Sequence, residues 1–126
     1  MAVSKFNERY TLYLNTTGQP VQCTLAEMTR GEVLQAIDWH TEEVAQAERE
    51  TKPFEAMVEA FEAGTRDPNY EPPEVLKAAA LAYERAGRAK VKLGQLLTQI
   101  DIALVPYANC HPQLSQAELV RRYWPR

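Results

Sequence analysis

The apolar positions of this chain change period twice, and the changes mark out four stretches. In RYTLYLNTTGQPVQCTL, Tyr10, Leu12 and Leu14 fall on one side of an alternating pattern and Thr11 and Tyr13 on the other, before Gly18 and Pro20 lead into Val21, Cys23 and Leu25. Period-two alternation around a Gly/Pro turn predicts a β-hairpin over residues 8–26. Two strands alone are marginally stable in water. The hairpin must therefore pack on helices or extend another sheet, for example that of a second copy.

From Val33 to Phe61 the period becomes helical. Thr29 and Glu32 have the spacing of a capping box, and Gly64 follows the last apolar turn, so a first long helix is expected over 29–63. Pro53 cannot donate to the carbonyl of Arg49, which predicts a kink or break there. A second long helix is expected over 73–105: Pro73 and Glu74 suit its first turn, and Pro106 stops it. Each would be about 50 Å long. A fourth stretch, with Ser115 and Glu118 at capping-box spacing, predicts a short helix over 115–124.

The two long helices carry matching heptad seams. The first runs through Val33, Ile37, His40, Val44, Ala47, Thr51, Phe54, Val58 and Phe61; the second through Leu76, Ala79, Tyr83, Ala86, Lys90, Leu93, Leu97, Ile100 and Leu104. Folded back through the 64–72 loop, they pair layer by layer from Phe61 with Leu76 to Val33 with Leu104. The expected fold is therefore mainly α. A β-hairpin precedes a long antiparallel, coiled-coil-like helical hairpin and a short C-terminal helix, in one domain spanning residues 1–126.

Composition narrows the function. At 126 residues the chain suffices for one core, and its 45% hydrophobic and 25% charged residues are those of a soluble globular protein. A net charge of −3 supplies no overall attraction for nucleic acid or anionic membrane. With two cysteines, no signal-peptide core and no apolar run near the length of a membrane span, a cytoplasmic, reduced protein is expected. In that compartment the NTT triplet at Asn15 is not a glycosylation site.

Candidate chemistry starts at AIDWHTEE, where His40 occupies a seam position opposite Leu97. The expectation is a core histidine with one nitrogen bonded to a nearby polar group, and His40→Leu should then be neutral or stabilising. Cys23, His40, Cys110 and His111 are the possible soft and imidazole metal ligands, but they lack a ligand spacing such as C-x-x-C. The glutamates of the first helix stay off the seam, unlike the inward carboxylates of a di-iron bundle. No nucleophile elbow or phosphate-binding glycine loop is present. No catalytic residue, cofactor or metal site is assigned.

Arg85, Arg88, Lys90 and Lys92 lie across from the acidic stretch around Glu43, Glu48, Glu50 and Glu55 in the predicted register, so neutralisation within the hairpin accounts for them. The tail RRYWPR mixes Arg121, Arg122 and Arg126 with aromatics that could stack on bases. Beside the second seam stand Ala80, Gly87 and Gly94, at heptad spacing. Each glycine inside a helix costs about 0.5–1 kcal/mol relative to alanine, which suggests that another backbone packs closely there. Together with Leu119, Tyr123 and Trp124, these residues form the candidate interface.

The expected function is that of a non-catalytic interaction protein, homo-oligomeric and meeting another protein as scaffold, adaptor, assembly chaperone or inhibitor, with no membrane partner. A small nucleic-acid-binding regulator using the arginine-rich tail is the alternative. A metal-dependent helical-bundle enzyme is the third reading.

Overall fold

The computed structural model describes residues 8–13 and 19–124. The fold is mainly α, as the periodicity predicts. Strands β1 (Arg9–Tyr13) and β2 (Pro20–Thr24) precede α1 (Arg30–Thr51), α2 (Glu55–Glu62), α3 (Pro73–Cys110) and α4 (Gln116–Tyr123). The hairpin is antiparallel, with Tyr10 opposite Cys23 and Leu12 opposite Val21. Its predicted turn at Gly18, with Leu14, lies outside the described residues.

Two compact units make up the chain. The first contains the described residues up to Thr41 and those from Lys92 onward, and the second spans Glu42–Val91. The core of the first unit answers the problem of an isolated hairpin. Tyr10 and Leu12 of β1 are buried in one cluster with Val33 and Ala36 of α1, Leu96, Ile100 and Leu104 of α3, and Leu119, Val120 and Trp124 at the C-terminal end. The strands are thus stabilised by helices of their own chain. The second unit has a smaller core in which Ala47, Ala86 and Ala89 pack with Val44.

Local signals place the helix ends. Thr29 and Glu32 form the expected reciprocal box: the Thr29 N–H donates to Glu32 Oε1 at 2.9 Å and the Glu32 N–H to Thr29 Oγ1 at 3.3 Å. At Pro53 the helix is interrupted, because α1 ends at Thr51 and a 3₁₀ turn over Lys52–Phe54 precedes α2. Gly64, at φ 73°, takes the left-handed conformation that a helix stop requires. The Thr65 N–H then reaches the Ala60 carbonyl and the Gly64 N–H that of Phe61, a Schellman ending.

Two expectations are corrected. First, α3 runs to Cys110, straight through Pro106. The proline deprives only the Ile102 carbonyl of its partner; Ile102 and Pro106 are both exposed, so water can serve that carbonyl. Leu104, on the other side, is 1% exposed and holds this turn to the core.

Second, the buried stripe of α3 is rotated from the predicted seam. Ala79, Ala86 and Ile100 are buried as expected, but Ala82, Ala89 and Leu96 take the places given to Tyr83, Lys90 and Leu97. Tyr83 and Lys90 are exposed and Leu97 is half-buried. Alanines permit close helix approach, whereas a phenol or an ammonium requires room and water.

At α4 the Ser115 side chain accepts from the Glu118 N–H at 3.3 Å. Ser115→Ala should lower stability by about 1 kcal/mol. The loss should appear as a lower urea midpoint at unchanged slope; an unchanged midpoint would show that this cap contributes nothing.

Candidate functional site

The polar constellation with the most defined geometry lies in the first unit, around His40. The imidazole is 2% exposed, and its Nε2 accepts the backbone N–H of Thr11 at 3.0 Å. An accepting Nε2 carries no proton, so the neutral ring holds its hydrogen on Nδ1. The Tyr10 ring stands edge-on to the imidazole, with centroids 5.9 Å apart and planes at 89°. Lys92 Nζ lies 4.7 Å from the Tyr10 ring centroid and pairs with Glu8 Oε2 at 2.9 Å. Burial, and secondarily the charge of Glu8, push the Tyr10 phenol up from its ordinary range, so it stays neutral.

His40 is thus the expected core histidine, but its partner is a strand and not Leu97. The ring supplies an acceptor to a backbone amide of β1, an outer strand whose unpaired groups need covering. Neither His40 nor Lys92 is near Tyr10 in sequence, and no local pattern announces that each of them meets its ring.

The remaining candidate residues are dispersed. Cys23 is half-buried and Cys110 exposed, both as free thiols. Burial, then Glu27 and Glu32, raise the Cys23 thiol against a smaller opposing effect of Arg9, which disfavours the nucleophilic thiolate. Among the described residues, no three of His, Cys, Asp or Glu converge as a metal-ligand group.

Compared with known proteins, the chain matches no family model, no curated protein and no solved structure.

Of the C-terminal candidates, Leu119 and Trp124 are core residues at 6% and 3% exposure. Trp124 Nε1 donates to the Met28 carbonyl at 3.0 Å, and Arg30 Nε donates to the Trp124 carbonyl at 2.8 Å. Tyr123 stacks on Tyr107 at 4.5 Å and on His111 at 5.4 Å, and its Oη is 2.8 Å from His111 Nε2. The aromatics expected to serve a partner or a base are therefore engaged by their own chain. Arg121 and Arg122 are exposed, whereas Arg126 lies outside the described residues.

The basic residues of α3 follow the expected neutralisation only in part. Arg85 reaches Glu50 at 3.6 Å, but Arg88 pairs along its own helix with Glu84 at 3.2 Å, and Lys92 turns to Glu8. Ala80, Gly87 and Gly94 are exposed, and a Cβ added to either glycine would meet nothing within 4 Å. No close backbone contact within the described chain explains either glycine. Among the described residues, no helix is long and apolar enough to cross a membrane.

Proposed function

We propose that this chain is a non-catalytic α-helical interaction protein that associates with itself through the outward side of α3 and acts by protein contact, as a scaffold, adaptor, assembly chaperone or inhibitor. The observation that carries this reading is the open space at Gly87 and at Gly94. Each glycine weakens its helix by about 0.5–1 kcal/mol, and no contact among the described residues offsets that cost. Contact with another backbone would. Apolar side chains left in water on the same helix support the reading: Val91 is 61% exposed, Ile102 49% and Val105 47%. A polar rim around such residues is the usual composition of an interface.

The test is the mass in solution. Light scattering across micromolar concentrations should give a dimer or larger for a chain of 14.3 kDa. Replacing Gly87 and Gly94 together by Leu should weaken assembly, although it raises helix propensity. A concentration-independent monomer would overturn the proposal, and unchanged assembly of the double variant would remove the glycines from the interface.

A further inference from the structure

We infer that β2 is an assembly edge: its open side pairs antiparallel with β2 of a second copy, about a two-fold axis through Gln22, to give a four-stranded sheet in the order β1, β2, β2, β1. The hairpin register decides which backbone groups are open. In an antiparallel pair, opposed residues alternate between exchanging both hydrogen bonds and turning both backbone groups away from the partner strand. The Thr11 N–H is bonded to His40, outside the sheet, so Thr11 and Gln22 form a pair of the second kind. The N–H and C=O of Gln22 therefore point away from β1. The same holds two residues along, at Pro20 and Thr24. On the outer side of β1 the His40 ring of α1 takes up the Thr11 amide, whereas Pro20 and Gln22 of β2 are exposed. An open strand edge is a template for a further strand.

The occupant follows from the residues of the edge. On a two-fold axis a strand meets its own copy, so its pattern must be self-complementary. With Gln22 on the axis, the two Gln22 residues exchange N–H···O=C bonds, and each side-chain amide offers its copy both a donor and an acceptor. Pro20 then lies opposite Thr24 of the second copy. Proline has no N–H and only needs to accept; the Thr24 N–H supplies the donor, its bond to Glu27 Oε1 being long at 3.4 Å. No residue of PVQCT is charged, so the axis brings no like charges face to face. The core side agrees with this. Tyr10 and Leu12 are buried, but Cys23 and Val21 opposite them are half-buried members of the same cluster. In the paired sheet Cys23 of one copy faces Val21 of the other, and both leave water. The outward side of α3 takes no part in this contact.

Amide exchange measured by NMR, corrected for intrinsic rates, and oxidative cross-linking test the inference. At millimolar concentration the Gln22 amide should be protected at least about tenfold, and dilution should remove the protection. Gln22→Glu sets two carboxylates together on the axis and should abolish the protection at that position, with the Thr11 amide still protected as a sign that the hairpin is folded. Gly87→Leu with Gly94→Leu should leave the Gln22 protection in place. Residues that exchange both bonds have Cα atoms about 5.5 Å apart, within reach of a disulfide. In a Cys23→Ala, Cys110→Ala background, Gln22→Cys should therefore cross-link into dimers at least about tenfold faster than the exposed control Gln113→Cys. An unprotected Gln22 amide at millimolar concentration, protection that survives Gln22→Glu, or cross-linking no faster than the control would each overturn the inference. So would a Cys23–Cys23 disulfide between wild-type chains, which belongs to a register with Cys23 on the axis. Should Gln22→Glu unfold the hairpin, the cross-linking rates decide.

Discussion

Trp124→Ala is expected to lower folding stability by about 3–5 kcal/mol, the usual cost of removing a buried indole. The side chain is 3% exposed and packs in the core of the first unit, and its Nε1–H is the donor to the Met28 carbonyl. Alanine leaves a cavity and a buried acceptor without its donor. Against a typical total of about 5–15 kcal/mol for a domain, such a loss would bring the first unit close to unfolding at room temperature. Guanidinium melts followed by circular dichroism would measure it, with Arg121→Ala as the exposed control, expected within about 0.5 kcal/mol of wild type. A loss below about 1 kcal/mol would mean that the C-terminal helix is not docked in solution, and would return Trp124 to the candidate interface.

His40→Leu comes second, and here the structure reverses the sign suggested by the heptad pattern. If the ring merely filled a seam position, leucine would be neutral or stabilising. Because Nε2 accepts the Thr11 N–H, leucine removes the acceptor and leaves an amide of β1 unsatisfied. The expected loss is about 1–3 kcal/mol at neutral pH, the cost of a buried polar group without a partner. Paired melts of wild type, His40→Leu and His40→Gln would check it, with glutamine falling between the other two. A leucine variant as stable as wild type would show that water replaces the imidazole as acceptor.

The contrast between these residues shows where the sequence was informative. Features that depend on neighbours along the chain were legible: the alternation of Tyr10 and Leu12, the Thr29/Glu32 and Ser115/Glu118 caps, the break at Pro53 and the stop at Gly64. Their physics operates within one turn of helix or one strand pair, so spacing carries the whole signal. The stop expected at Pro106 failed because a proline costs one hydrogen bond, and the exposure of Ile102 together with the burial of Leu104 made that loss tolerable.

Other outcomes depended on which surfaces meet. A heptad pattern constrains a helix face only to within about one residue, or about 100° of rotation. Packing settled the choice in favour of Ala82, Ala89 and Leu96, since alanines admit a close neighbour while Tyr83 and Lys90 retain water. The acceptor role of His40 and the docking of Trp124 were hidden for the same reason: Thr11 is 29 positions from the histidine, and Met28 is 96 from the tryptophan. Apolar periodicity records that a side chain leaves water, but the identity of its hydrogen-bond partner is set when distant elements come into contact.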